Sequence, residues 1–227
     1  MGSKLLFLLF ILPVQMLFAQ DQMRIDSLQI RLSNAKEDTS KVKILIDLSD
    51  TYYGKDAIKA LQYAKEALQV SGDINSELFK TRSYIKIGNN LILIGNYDEA
   101  LANFLSALKI SQQNNFEYEE LISYNSLGII QDRIDKFDEA LKYYFEALNI
   151  YNKAVERGEP IHKMKNIQGL YNNIGNIYLS KNILNTAEEY YLKGLKLSEE
   201  KLDYNNIGKV LRYELRMSTY FSIVEVC

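Results

Sequence analysis

Residues 171–178 read YNNIGNIY, three side-chain amides set around a glycine. An Asn amide carries a donor and an acceptor together. Asn172, Asn173 and Asn176 are therefore equipped to recognise another amide, a peptide bond included, whatever side chain it carries. That is binding chemistry. Signatures of bond-breaking chemistry are missing: the sequence has no Gly-rich phosphate loop, no HExxH, no CxxC and no GxSxG. The single histidine, His162, stands near Pro160 without a partner that the sequence singles out, and reads as an exposed loop residue. One histidine makes no multi-histidine metal site, and one cysteine, Cys227, makes no internal disulfide. Acidic pairs such as Glu119-Glu120 and Glu199-Glu200 read as solvated helix residues. The expectation is a protein that is not an enzyme and uses no cofactor and no metal.

The amides need an element to hold them. Tyr171, Ile174, Ile177 and Tyr178 recur at helical spacing, yet Gly175 in their midst costs a helix about 1 kcal/mol relative to Ala. A glycine is tolerated there if a side chain would hold two helices apart. The bulk composition agrees with helices. The 227 residues are 47% hydrophobic and 25% charged, enough to bury a core and too apolar for disorder. Only two prolines occur, Pro13 and Pro160. The net charge of −2 gives no electrostatic footprint for nucleic acid.

The N-terminus, MGSKLLFLLFILPVQMLFAQDQ, has a positive Lys4, an apolar run over 5–12, and small Ala19 before polar Gln20. This is the layout of a secretory signal peptide over 1–19. It is too short and interrupted for a comfortable membrane helix, which needs about 20 apolar residues. An exported chain is expected, periplasmic or secreted. No membrane span is expected in the mature chain unless this segment stays uncleaved.

Three segments align without gaps from Tyr84, Tyr124 and Tyr171. Each continues with Ile87-Gly88, Leu127-Gly128 or Ile174-Gly175, then Ala100, Ala140 or Ala187, then Phe104, Tyr144 or Tyr191, then Ala107, Ala147 or Gly194. An imperfect copy precedes them, with Leu48-Ser49, Tyr52, Ala60, Ala64 and Ala67. This pattern resembles the tetratricopeptide repeat. The spacing Ala60 to Ala100 to Ala140 is 40 residues per step, and Ala140 to Ala187 is 47, against about 34 in the usual unit. The closing proline of the family is absent. Longer helices account for the period of 40, and a loop at VERGEPIHKMKN for the step of 47.

The resemblance implies an all-α fold, a right-handed superhelix (α-solenoid) of stacked antiparallel helix pairs, A then B. A leading helix is expected over 20–39 and the repeat array over 40–201, with copies at about 40–72, 75–113, 116–157 and 161–201. Residues 202–227 read as a further helix or an incomplete fifth repeat. The apolar stripe of the second copy's helix B, Ala100, Leu101, Phe104, Leu105 and Leu108, reads as core. The tyrosine pairs Tyr143-Tyr144 and Tyr190-Tyr191 read as packing residues.

The family's inner surface is lined by helix A. Counting from the leading Tyr, positions −2, +1, +5 and +8 are expected to face it. The groove residues implied are Arg82, Lys86, Asn89, Asn125, Arg133, Asn172, Asn173 and Asn176, with Asp132 offsetting the cations. The expected partner is a protein or an extended peptide, and not nucleic acid. The alternative is an envelope assembly adaptor that uses the convex face or the C-terminal edge. The exported array also resembles the sensor regions of Bacteroidetes-type signalling proteins, in which a histidine kinase or DNA-binding domain follows; a further expectation is therefore a truncated sensor part of such a protein, its output domain absent from these 227 residues.

Overall fold

The computed structural model describes residues 21–159 and 167–200. Residues 1–19, expected to be a signal peptide, His162 and residues 202–227 lie outside the described residues. So does most of the loop that was expected to make up the step of 47.

The fold is all-α, built of helix pairs; among the described residues there is no strand. Helix α1 covers 21–33. The pairs follow as α2 (Thr39–Tyr52) with α3 (Ala57–Asp73), α4 (Glu77–Leu93) with α5 (Tyr97–Asn114), α6 (Glu117–Arg133) with α7 (Phe137–Glu156), and α8 (Ile167–Ser180) with α9 (Leu184–Glu200). The long period is indeed taken up by helix: α5 has 18 residues and α7 has 20. No described helix is long and apolar enough to cross a membrane.

Local sequence sets the boundaries. Asp38 caps α2 by accepting the Ser40 amide at 2.7 Å, and Asp56 and Asn96 cap α3 and α5 in the same manner. Asp98-Glu99 and Asp138-Glu139 put negative charge in the first turns of α5 and α7, where the helix dipole favours it. From α2 onward, each turn between helices passes through one left-handed residue: Gly54, Asn75, Gly95, Asn115, Asp135, Gly158 or Asn182. These are the residue types that tolerate positive φ. A backbone bond from the residue after the turn closes six of these ends, as in Asn96 N–H to Leu91 O and Lys136 N–H to Gln131 O.

The chain divides into two compact units between Phe116 and Glu117. In the first, Val42, Leu45, Ala67, Val70 and Phe79 join α2, α3 and α4 into one core, and Leu28 of α1 packs with Ile44 and Leu48. In the second, one core runs from Leu121 through Ala140, Tyr144, Ala147 and Tyr151 to Ile167, Leu170 and Ile174.

Within a pair, the closest approach is a glycine on helix A under an aromatic ring on helix B. A Cβ on Gly88 would lie 2.6 Å from the Phe104 ring, and one on Gly128 would lie closer still to Tyr144. On Gly175 it would stand 3.1 Å from Tyr191. Phe104 and Tyr144 are wholly buried there, as are Ala100, Ala107, Ala140 and Ala147 on the same B-helix stripes. One expected core residue is displaced: Leu105 is 44% exposed. The core stripe of α5 is Ala100, Phe104, Ala107 and Ser111, and Leu105, one residue on from Phe104, is turned about 100° away from it.

Gly128→Ala is expected to cost about 1–3 kcal/mol of stability by overpacking, despite the better helix propensity of alanine. Urea denaturation followed by helix circular dichroism measures it. Gly175→Ala, with its wider clearance, is expected to cost less.

Candidate functional site

The two units each carry a set of polar residues on their A helices, and each set has its own geometry. In the first unit the outward line of α4 is Arg82, Lys86, Asn89 and Leu93, at helical spacing. Lys86 Nζ meets Asp50 of α2 at 2.5 Å, so its charge is already answered inside the protein. Both groups are partly exposed, and such a pair contributes at most about 1 kcal/mol. Arg82 lies over the Phe79 ring at 5.7 Å. One turn on, Asn90 is buried and donates to Ser49 Oγ at 3.0 Å and to Lys86 O at 2.9 Å. Neither Asp50 nor Asn90 was among the expected site residues. Ser49 was the available signal, since it puts a hydroxyl where other copies have glycine.

In the second unit the outward line of α6 is Ile122, Asn125, Ile129 and Asp132. Asn173 of α8 donates from Nδ2 to Asn125 Oδ1 at 3.1 Å. This bond joins two helices of successive pairs on their half-exposed side. It uses neither the Asn125 NH₂ nor the Asn173 carbonyl oxygen, a donor and an acceptor. Arg133, exposed in the last turn of α6, lies eight residues beyond Asn125, or about 12 Å along the helix. It is not brought to the amide pair.

Two expected groove residues are used otherwise. Asn172 is 4% exposed and does not face outward. Its Oδ1 lies 2.7 Å from where a Cβ of Gly194 would be, so the missing side chain of Gly194 makes the room that Asn172 fills. The outward positions of α8 are Gly169, Asn173, Asn176 and Ser180. Ile85, at the corresponding place on α4, is likewise buried. The expected phase of −2, +1, +5 and +8 therefore holds for α6 alone, where small Ser126 is the residue that turns inward. Asn176 is exposed, but its Oδ1 accepts the Tyr191 hydroxyl at 2.5 Å.

That last bond distinguishes the repeats. Phe104 has no hydroxyl to satisfy. Tyr191 has one and finds Asn176. Tyr144 has one, but the residue corresponding to Asn176 is Ile129, and the wholly buried Tyr144 hydroxyl has no hydrogen-bond partner among the described residues. Burial, aided by the nearby Asp132 charge, pushes the Tyr144 phenol far above its ordinary range. Burial likewise lifts Tyr171 to about 12. Asp132 itself is raised, first by desolvation and further by Asp135, while Arg133 pulls the other way. Around Tyr190 the rings of Tyr171, Tyr178 and Phe145 gather within 6.3 Å, with Lys193 over its face at 4.9 Å. No group of three or more metal-ligating side chains occurs among the described residues.

Family models described as tetratricopeptide repeat match residues 80–153 and 169–201. The matched residues lie on both sides of the 158–166 segment. Among solved structures it is similar to the apo form of RapI, at 23% identity over 82% of this chain and 67% of that one, TM-score 0.67. It is similar to aspartyl phosphate phosphatase F from Bacillus subtilis, at 14% identity over 91% and 58%, TM-score 0.71. A third is the Rap conjugation gene regulator of plasmid pLS20 in complex with the Phr* peptide, at 18% over 83% and 52%, TM-score 0.70. At these identities the likeness is one of fold, and the chain spans little more than half of the latter two, 58% and 52%. Comparison with curated proteins gave no match.

Tyr191→Phe, which removes the hydroxyl's bond to Asn176, is expected to cost about 1 kcal/mol. Tyr144→Phe removes an unpaired buried hydroxyl and is expected to be neutral or stabilising by about 1 kcal/mol. Paired urea titrations of the two variants read the difference in sign.

Proposed function

We propose that this protein is a non-catalytic binding module that holds a protein segment or extended peptide against the A-helix face of its repeats. The observation that carries this reading is the Asn125–Asn173 pair. Its one internal bond ties both half-exposed amides and leaves a donor and an acceptor unused. A peptide backbone offers the complementary acceptor and donor at every residue, so such a pair grips main chain without selecting sequence. Asn176 adds an amide on the outward line of α8 in the same unit, and Asn89 is the first unit's own amide on α4. The similar Rap regulator of pLS20 was solved with a peptide bound, which favours the same use of the fold here. The likeness to a phosphatase is not carried over, because fold alone does not transfer an activity.

A second reading, an assembly adaptor, is favoured by one observation. Leu105, Phe145 and Leu192 occupy the same B-helix position in three repeats and are 44%, 37% and 49% exposed. Exposed apolar residues repeated at one register suit a partner protein.

Asn125→Ala with Asn173→Ala is expected to lower retention on immobilised random peptides at least tenfold with helix content unchanged, two backbone hydrogen bonds being worth about 1–3 kcal/mol together. Under the adaptor reading that variant keeps its partners in a crosslinked envelope extract, and Phe145→Ser with Leu192→Ser loses them.

The module's place in this proposal is the bacterial envelope, periplasmic or secreted, in a sensory or scaffolding role. The N-terminal segment supports it. N-terminal sequencing of the chain recovered from the periplasm of an expressing bacterium is expected to begin at Gln20; a start at Met1 in the cytosol refutes export.

A further inference from the structure

Asn90 of α4 is an amide at a position where the later repeats are apolar. It is 1% exposed, and its counterparts are Ile130 and Ile177, both buried. Its Nδ2 donates to Ser49 Oγ of α2 at 3.0 Å and to Lys86 O of its own helix at 2.9 Å. Its Oδ1 is buried without a hydrogen-bond partner among the described residues. Ser49 is buried as deeply, and stands where the other A helices have Gly88, Gly128 and Gly175. An interior amide that is only half satisfied is worse for stability than an apolar side chain of its shape. Stability therefore does not account for the pair.

The A helices share one packing pattern, so each could settle beside the wrong neighbour. Exchange of like elements between chains is a characteristic failure of repeat proteins. The polar pairs of the two units do not interchange. With α8 in the place of α4, Ser49 would face Ile177 and its hydroxyl would lose the amide. With α4 in the place of α8, Asn90 would face Gly128, and its NH₂ would lose the hydroxyl. Lys86 would then stand where Asn173 now meets Asn125. Either exchange strands a buried polar group, which is how a wrong neighbour is rejected.

We propose that the Asn90–Ser49 bond specifies α4 of the same chain as the neighbour of α2, and so keeps copies of this protein from exchanging repeats. It is independent of the peptide-binding reading. Lys86 and Asp50 meet on the same seam at 2.5 Å, but both are partly exposed and water can replace either partner, so they discriminate less.

The test refolds the full chain from urea at high protein concentration. Size-exclusion chromatography reads species heavier than that of the chain before unfolding. A sample concentrated without unfolding reads association that needs no exchange. Ser49→Ala with Asn90→Leu keeps the branching of each side chain and removes both polar ends. This double variant is expected to resist urea at least as well as the unmodified chain. On refolding it is expected to form about tenfold more of the exchanged species, the effect of one buried hydrogen bond that no longer separates right from wrong neighbours. Thr81→Val removes a buried hydroxyl whose bond, to Glu77 O at 2.8 Å, stays inside α4. That variant is expected to refold as the unmodified chain does. Four results overturn this inference: the double variant refolds to the same species as the unmodified chain, its heavy species forms equally without unfolding, Thr81→Val yields as much of it, or the double variant is the less stable to urea, the pair then being kept for stability.

Discussion

The contact on which the structure depends is a glycine of helix A meeting an aromatic ring of helix B. At Gly88 and Gly128 there is no room for even a Cβ between the helix backbone and the ring. The ring thus takes the volume of a side chain on each helix, and the two axes are drawn together. The surrounding alanines, Ala100, Ala107, Ala140 and Ala147, are wholly buried because nothing larger fits at that separation. The first pair solves the same problem with different residues. Ser49 stands in place of the glycine and Ala64 in place of the ring, both buried, so added volume on one helix is matched by lost volume on the other. The aromatic there is Tyr63, one residue earlier, which stacks on Tyr52 at 5.7 Å.

Choosing a ring also decides what happens to its polar end. Phenylalanine leaves nothing to satisfy. A tyrosine brings a hydroxyl into the interior, and helix A must then supply an acceptor one residue beyond its glycine. Asn176 does so for Tyr191; Ile129 does not for Tyr144. The packing contact thus reaches through helix A and determines which of its outward polar residues are engaged. The same economy governs the seams between neighbouring A helices. Lys86 meets Asp50, Asn90 meets Ser49, and Asn173 meets Asn125. Polar residues on this face first join repeat to repeat, and only the valences left over are offered outward.

The repeat architecture was legible in the sequence because it rests on local, periodic features. Glycine and aromatic recur at fixed offsets, Asp38 precedes its helix, and left-handed turns fall on Gly, Asn or Asp. The outward face was legible only in part. It depends on a choice between adjacent positions, +1 and +2, that no single helix can settle. Ile85 turns inward beside Lys86 because it is apolar, and Ser126 turns inward beside Asn125 because it is small. Between Asn172 and Asn173 neither argument distinguishes the residues. The deciding residue is Gly194, on another helix, whose missing side chain admits Asn172. Pairings such as Lys86 with Asp50 were hidden for the same reason, since their partners lie 36 residues apart and meet only through stacking.

A face assembled from such leftovers has a consequence for recognition. Each amide that spends one bond on a neighbouring repeat is held in one orientation, so it loses little further freedom when a ligand arrives. Asn125 and Asn173 are fixed in this way, whereas an unpaired side chain on an isolated helix would lose its rotamer entropy on binding. In the proposed binding, the bond that stitches α6 to α8 would therefore also prepare the amides. If either helix shifted along the other by a fraction of a turn, the donor and the acceptor would separate together. The peptide recognition proposed for the second unit would in this sense be a property of the stacking of its pairs, and so of the glycine–ring contacts that set where each A helix lies.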